Sequence, residues 1–285
     1  MTQNQDTQNP QEGLQYIHAW HYDMLANQER SHYYNDLIKE HCRDKIVLEI
    51  GTGSGLLAAL AIQHGAKKVI CCEENPLLAM AAAQLFRRLK IDDRVELIAK
   101  NSTQIATGDI PQVDVVLHEL FGSDPFDEHM VPTLTDARRF MKADAIFLPE
   151  KIQLIYKPLN NPQLPEKLYF GDIELAEMSA LISSIHPNLR IRDLDKKEFF
   201  SLPEVTIHEL LEKPYTYTVK DPRLVGVDAI EVSYLIIHQG KKLQAAEFYP
   251  PPGRIHWFPL TFIKLDVQAD AITFSTKDNI QLLVL

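Results

Sequence analysis

The chain has 285 residues, 45% of them hydrophobic, and a formal net charge of −10 from 29 Lys plus Arg against 39 Asp plus Glu. The hydrophobic content is ample for the core of one large domain or two modest ones. The excess of acidic residues disfavours a nucleic-acid partner. No apolar run approaches the roughly 20 residues that cross a bilayer, and the polar start lacks signal-peptide features, so we expect a cytoplasmic protein without a membrane partner.

The first half of the chain predicts helices alternating with buried strands. Residues 1–13 hold almost nothing that can be buried and are predicted to be a disordered lead-in. Helical spacing from residue 14 to about Cys42 indicates one or two helices. Strands are then predicted in KIVLEI, KVICC, RVELI and VDVVLH, with Ala- and Leu-rich helices after the first two, and another helix and strand in TLTDARRFMKADAIFLP. Alternation of this kind predicts a parallel sheet covered on both faces.

The pattern changes after Pro149. KIQLIYKPL, YTYTVK, AIEVSYLIIHQ, LTFIKLDVQ and AITFSTK are β-rich runs separated by turns, and only DIELAEMSALISSI, residues 172–185, is interpreted as a helix. We therefore predict a first domain over residues 14–149 and a second, mainly β domain over 150–285. The three cysteines, Cys42, Cys71 and Cys72, are too few and too poorly spaced for a disulfide framework or a zinc site, and no metal is expected.

Three glycines, Gly51, Gly53 and Gly55, follow the first strand directly and precede a helix. The dinucleotide fingerprint needs its third glycine where this chain has Leu56, and a pyrophosphate would sit poorly beside the carboxylate of Glu49. The loop therefore favours a nucleoside ligand without phosphates. Alternatively, the glycines only make a tight strand-to-helix turn.

Glu73 ends the second strand, where an acid accepts hydrogen bonds from both hydroxyls of a ribose. With the glycine loop and Glu49 it fits S-adenosylmethionine, which carries a ribose, a cationic sulfur and no phosphate. The alternative is that Glu73 caps the next helix. Asn101, Ser102 and Thr103 follow the third strand and are candidates for adenine contacts, although a polar turn explains them as well.

The stretch HELFGSDPFDEHM, residues 118–130, places Glu119 and Glu128 nine positions apart without a Lys or Arg among them. Such a pair is most often solvated, and otherwise it binds a cation supplied from elsewhere. A guanidinium suits two carboxylates because it is planar, always charged and presents a fork of donors.

These motifs together resemble the protein arginine methyltransferase family, from about residue 22 to residue 267. HELFGSDPFDEHM resembles the family's double-glutamate loop, including Gly122 and Met130. MLANQER, residues 24–30, resembles the helix that folds over the cofactor, and IHW, residues 255–257, resembles the Thr-His-Trp loop that completes the substrate pocket.

The resemblance implies a doubly wound, Rossmann-like methyltransferase domain followed by a mainly β, barrel-like domain. It also implies transfer of a methyl group from S-adenosylmethionine to a guanidino nitrogen of arginine in a protein. The implied catalytic residues are Glu119, Glu128 and His256; the implied substrate-binding residues are Met130 and Trp257; the expected cofactor-binding residues are Arg30, Glu49, Gly51, Gly53, Gly55, Glu73, Ser102 and Thr103.

The chain departs from the family pattern at several positions. Asn27 replaces an acid that pairs with the loop histidine, Ile255 replaces a threonine, and few residues follow Trp257. Free arginine or another small guanidine is therefore an alternative acceptor, and a non-catalytic scaffold that binds a partner through its acidic surface is an alternative of another class. The double-glutamate loop and the NST turn most resemble the branch of the family that makes only monomethylarginine. The resemblance also implies a homodimer, for which residues 172–185 are the candidate helical arm.

Overall fold

A computed structural model of the chain describes residues 20–122, 124–126, 128–159, 169–170, 173–174, 200–227, 229–244, 261–264, 271–277 and 281–284. The predictions for the lead-in and for His256 and Trp257 lie outside these residues. The chain separates into two compact units: unit 1 comprises Met1–Glu119, Asp136–Pro149 and Gly253–Trp257, and unit 2 comprises Leu120–Thr135, Glu150–Pro252 and Phe258–Leu285. The domain ranges 14–149 and 150–285 stay predictions, and the units differ from them by assigning Leu120–Thr135 to unit 2 and Gly253–Trp257 to unit 1.

Unit 1 is built on a five-stranded sheet in the order β3-β2-β1-β4-β5, and all of its strand pairs are parallel. Its strands are β1 (Ile46–Ile50), β2 (Lys68–Cys72), β3 (Val95–Ile98), β4 (Val113–His118) and β5 (Met141–Leu148). The side chains of β1, β2 and β4 are almost all buried, as expected for central strands covered on both faces.

The described helices that lie wholly in unit 1 are Trp20–Ala26, Gln28–His41, Leu56–Gln63 and Pro76–Leu89, with short 3-10 turns at Ser102–Gln104 and Arg138–Phe140. The helix Met130–Ala137 begins in unit 2 and ends in unit 1. Asn27 separates the first two helices and caps the second through a bond from the Arg30 backbone N to its Oδ1. Asn75 caps the helix that begins at Pro76, where the missing N–H of proline costs nothing. The two helices before β1 and the helix and strand before Pro149 confirm the predicted pattern.

Unit 2 consists mainly of antiparallel strands. Its strands are β6 (Lys151–Leu159), β7 (Tyr169–Phe170), β8 (Ile173–Glu174), β9 (Phe200–Ser201), β10 (Val205–Thr206), β11 (Thr216–Lys220), β12 (Ala229–His238), β13 (Lys241–Gln244), β14 (Thr261–Lys264), β15 (Ala271–Lys277) and β16 (Gln281–Val284). The largest sheet has the order β10-β6-β12-β13, with β14 also paired to β12 and β9 to β6. Strands β11, β15 and β16 form a second sheet, and β7 and β8 pair with each other.

Two predictions for this unit are wrong in the described residues. The helix predicted over residues 172–185 is wrong at Ile173–Glu174, which is a strand that pairs with Tyr169–Phe170. The other residues of that prediction lie outside the described residues. The unit also contains the helix Ile207–Glu212, which was not predicted. Its signal was present, because Thr206 and Glu209 form a reciprocal capping box.

Across the part of the chain that the structure describes, no helix combines the length and the apolar character needed to cross a membrane.

Candidate functional site

The candidate site begins where β1 and β4 end side by side. Ile50 at the end of β1 is the register partner of His118 at the end of β4. The next residues are Gly51 on one strand and Glu119 on the other. The strand order reverses direction between β1 and β4, and open parallel sheets bind their ligands at the carboxyl ends of the strands at such a switch point. The glycine loop and the first loop acid therefore share the expected ligand-binding edge of unit 1.

The three glycines of the loop all have left-handed backbones, with φ of 73° at Gly51, 55° at Gly53 and 83° at Gly55. Residues with a Cβ rarely adopt this conformation, so the turn needs glycine. Gly55 has a second constraint, because a Cβ there would lie 2.8 Å from Cε1 of Phe86. The loop is thus both a tight turn and a close approach to the helix Pro76–Leu89.

Glu73 is bonded to the glycine loop. Its Oε2 accepts a hydrogen bond from the Gly53 backbone N at 2.7 Å, and its Oε1 accepts one from the Asn75 backbone N at 2.8 Å. The carboxylate is therefore buried and oriented by two backbone donors. The alternative that Glu73 caps the next helix is wrong, since Asn75 is the N-cap and accepts from the Leu77 and Leu78 backbone N atoms.

Glu49 lies on β1 and is buried. Its Oε2 accepts from the Thr52 hydroxyl at 2.8 Å and from the Cys71 thiol at 3.5 Å. Burial raises the pKa of Glu49 to about 7, the two side-chain bonds work against that rise, and the negative charge of Glu73 adds to it. Protonated and ionised forms of Glu49 are therefore both populated near neutral pH.

Arg30 and Glu119 form a buried ion pair. Nη2 of Arg30 lies 2.5 Å from Oε2 of Glu119, and the two side chains are only 4% and 9% exposed. The Arg30 guanidinium carbon also lies 5.4 Å from the ring centroid of Tyr34, whose hydroxyl donates to the backbone O of His118 at 3.2 Å. The cation that the double-glutamate stretch lacks is thus supplied to Glu119 by a residue 89 positions earlier.

His118, which directly precedes Glu119, is fully buried. Burial lowers its pKa to about 4, although the bond from its Nε2 to the backbone O of Pro149, at 3.2 Å, opposes the shift. The ring is therefore neutral at physiological pH, with the Nε2 hydrogen assigned from this contact. It anchors the end of β4 to the residue that follows β5.

The candidate adenine residues form a polar turn. Ser102 is buried and Thr103 is exposed. Oδ1 of Asn101 accepts from the Thr103 backbone N at 3.0 Å and from the Thr103 hydroxyl at 2.8 Å, while Nδ2 of Asn101 donates to Glu74 at 2.9 Å. The turn is oriented by these bonds, and an adenine contact from it stays a prediction.

Glu128 and Met130 belong to unit 2. Glu128 is exposed in a turn, and Met130 is fully buried at the first residue of its helix. His129 between them has a φ of 55°, which is uncommon for a residue with a Cβ, and its backbone O accepts from the Thr133 backbone N at 3.1 Å. His129, which directly follows Glu128, thus has an uncommon backbone conformation that is held by the bond from Thr133.

Sequence reasoning missed several contributors to this site. Thr52 and Asn75 had local signals, since a hydroxyl three residues after Glu49 and an Asn before a Pro are both typical of capping and turn bonds. Cys71 and Tyr34 contact the site through tertiary structure, for which no sequence signal exists. Within the described ranges, no group of three or more His, Cys, Asp or Glu side chains is arranged to hold a metal ion.

The fold and the glycine loop with its acid define unit 1 as a nucleoside-binding α/β domain of the methyltransferase type. No family model matches the chain. It is 30% identical to the Histone-arginine methyltransferase CARMER of Anopheles gambiae over 193 residues, and this alignment covers 66% of this chain and 30% of that protein. It is 34% identical to an Arginine N(omega)-methyltransferase of Streptomyces achromogenes subsp. streptozoticus over 142 residues, and this alignment covers 48% of this chain and 39% of that protein.

A solved structure agrees with these relatives. The Trypanosoma brucei PRMT1 enzyme-prozyme heterotetrameric complex with AdoHcy superposes with a TM-score of 0.69 at 20% identity, covering 91% of this chain and 87% of that one. The resemblance to the protein arginine methyltransferases is thereby confirmed, and so is the fold: a Rossmann-like methyltransferase domain and a mainly β, barrel-like domain. The chain spans well under half the length of the two curated relatives.

Proposed function

We propose that this protein transfers a methyl group from S-adenosylmethionine to a guanidino nitrogen of arginine in a protein substrate. The observation that carries the proposal is the switch point of the unit 1 sheet, where the glycine loop follows β1 and Glu119 follows the adjacent strand β4. A cofactor loop and an acid suited to a guanidinium thus occupy neighbouring strand ends. The relatives support the reaction, since both are named arginine methyltransferases.

The residues of unit 1 fit the cofactor. Gly51, Gly53 and Gly55 place no side chain of their own between the loop backbone and the cofactor, and Glu73 presents a buried, oriented carboxylate for ribose hydroxyls. Arg30 supplies a buried guanidinium as the cation for the methionyl carboxylate. When bound, S-adenosylmethionine supplies a methyl group activated by its sulfonium, and its product S-adenosylhomocysteine is bound in the T. brucei neighbour.

The chemistry needed from the protein is mainly positioning. Methyl transfer is a direct displacement, and well-oriented reactants reach effective molarities of about 10⁵ M or more. We assign Glu119 and Glu128 to binding the acceptor guanidinium, which localises its charge away from the attacking nitrogen. His256, Trp257 and Met130 remain the proposed remainder of the acceptor pocket on the strength of the motifs alone.

The proposal is tested by transfer of isotope-labelled methyl to an Arg-Gly-rich peptide, its Lys-substituted twin and free arginine. Glu128→Gln is the sharper variant, because Glu128 is exposed whereas Glu119 also holds Arg30. We expect label on the arginine peptide alone and a large loss with Glu128→Gln, while Glu40→Gln, an exposed acid on the helix Gln28–His41, keeps full transfer. Bound cofactor without label on any acceptor contradicts the proposal and favours the scaffold.

Free arginine is the second candidate acceptor. The Streptomyces relative is named for arginine, whereas the Anopheles relative is named for histone arginine. Label on free arginine but on no peptide in the same experiment selects this alternative.

Three finer points belong to the same proposal. We assign the product as monomethylarginine, which mass spectrometry contradicts if dimethylarginine accumulates after exhaustive reaction. We propose a homodimer, which light scattering at high concentration checks. We place the protein in the cytoplasm, which cell fractionation checks.

A further inference from the structure

The segment between the two loop glutamates is packed into unit 2 by aromatic side chains. Phe121 and Phe126 are both buried. The ring centroid of Phe121 lies 6.1 Å from that of Tyr234, and the ring centroid of Phe126 lies 6.2 Å from that of Tyr215. Tilted pairs at such distances add to the apolar area that the rings bury. Phe121 and Phe126 therefore anchor the segment within unit 2.

A hydrogen bond fixes the backbone of the same segment. The hydroxyl of Tyr234 donates to the backbone O of Gly122 at 2.7 Å, in a buried contact between residues 112 positions apart. Tyr234 itself is 2% exposed and lies in the middle of β12. A buried carbonyl that lost this donor would be left without it in a place that water does not readily reach.

The strand that carries Tyr234 is a rigid support. Residues 229–237 of β12 pair continuously with β6, and the two ends of β12 pair on the other side with β13 and β14. A donor on such a strand has little freedom to follow a moving loop. The Gly122 carbonyl is thus held in place by a residue in the central part of a sheet.

The part of the segment from Gly122 to Phe126, which leads to Glu128, is internally bonded. Oδ1 of Asp124 accepts from the Phe126 backbone N at 2.7 Å, and the backbone O of Asp124 accepts from the Gly122 backbone N at 3.3 Å. The turn that precedes Glu128 therefore starts at the residue that Tyr234 holds. A shift at Gly122 moves the whole turn rather than one peptide.

We propose that Tyr234 is a positioning residue for the acidic segment: its hydroxyl fixes the Gly122 carbonyl and thereby the turn that places the Glu128 carboxylate for the acceptor. This inference rests on the proposed arginine methylation and adds to it a residue of the β unit. A displacement of about 1 Å can cost roughly 100-fold in rate when catalysis relies on positioning. Tyr234 and Gly122 both belong to unit 2, whereas the expected cofactor residues belong to unit 1, so we expect cofactor affinity to stay unchanged.

The test compares Tyr234→Phe with Tyr156→Phe. Tyr156 is a matched control, because it is a buried tyrosine on the neighbouring strand β6 whose hydroxyl donates to Asp221 at 2.9 Å, away from the acidic segment. For Tyr234→Phe we expect kcat/KM for the guanidino acceptor to fall by about 10- to 100-fold with an unchanged dissociation constant for S-adenosylmethionine. For Tyr156→Phe we expect less than a threefold change in either.

Hydrogen exchange of the amides of residues 120–130, followed by mass spectrometry, gives a readout that does not depend on activity. We expect faster exchange there in Tyr234→Phe and no change in Tyr156→Phe. Unchanged exchange, or equal loss of acceptor kcat/KM in both variants, overturns the positioning role. A wild-type protein that methylates no guanidine while Tyr234→Phe still accelerates exchange overturns the proposed function and leaves Tyr234 as the support of the segment.

Discussion

The buried pair of Arg30 and Glu119 allows a quantitative test by a double-mutant cycle. The variants are Arg30→Met, Glu119→Gln and the double variant, all close in volume to the native residues. The charged groups are in direct contact, 2.5 Å between Nη2 and Oε2, and their side chains are 4% and 9% exposed. Solvent screening is therefore weak, and the cycle removes the effects of the other contacts that each side chain makes.

The magnitude follows from Coulomb's law. Unit charges centred about 4 Å apart attract by about 4 kcal/mol at an effective dielectric constant of 20. Removing one partner of a buried pair leaves the other charge uncompensated and costs about 3–5 kcal/mol. We therefore expect each single variant to lose several kcal/mol of unfolding free energy, the double variant to lose less than the sum, and a coupling of about 2–4 kcal/mol.

Denaturant unfolding at pH 7, followed by circular dichroism and with a common slope for all four proteins, measures the cycle. We also expect the double variant to be more stable than at least one of the single variants, because it buries no unpaired charge. A coupling below about 0.5 kcal/mol, the value of an exposed pair, refutes the argument that the contact is buried and charge-compensated.

Two further predictions concern Glu49 and Gly55. Folding raises the pKa of Glu49 from 4.5 to about 7, so its contribution to the unfolding free energy is present below pH 4.5 and lost as the pH rises to 7, about 3 kcal/mol in all. We expect the unfolding free energy of the wild-type protein to fall between pH 5 and pH 7.5, and that of Glu49→Gln to lack this fall, when both are measured by denaturant unfolding. An equal change in the two proteins contradicts the prediction. Gly55→Ala, whose Cβ meets Phe86 at 2.8 Å, should lose about 1–3 kcal/mol more than Gly108→Ala, whose Cβ meets nothing within 4 Å. Equal losses in thermal unfolding show that Phe86 moves aside at no cost.

Periodicity and glycine placement were enough to predict the sheet of unit 1 and most long strands of unit 2. KIQLIYKPL matches β6 from Lys151 to Leu159, because its apolar residues Ile152, Leu154 and Tyr156 recur at every second position, the period of a strand. Residues 173–174 show the limit, since their spacing suits a helix and their pairing with Tyr169–Phe170 makes them a strand. Local sequence does not encode which partner a short segment meets.

The candidate site divides in the same way. Glu73 could be predicted because it stands at a strand end near a glycine loop, and the bond to Gly53 confirms that the two meet. Neither the pairing of Arg30 with Glu119 nor the bond from Tyr234 to Gly122 could be predicted, since they join residues 89 and 112 positions apart. Contacts of this range are set by topology, which composition and spacing do not specify.

The pairing of Arg30 with Glu119 changes how the acidic segment should attract its acceptor. A stretch that carries two glutamates and no Lys or Arg suggests strong electrostatic recruitment of a cation, but Glu119 is already compensated by Arg30. A carboxylate has about four acceptor positions, so Glu119 can hold Arg30 and still accept from a second guanidinium. Under the proposed function, we therefore expect recognition at Glu119 to depend on the direction of hydrogen bonds more than on net charge. On the same proposal, we expect the Tyr234 bond to Gly122 to matter more for the reaction than the number of charges in the segment.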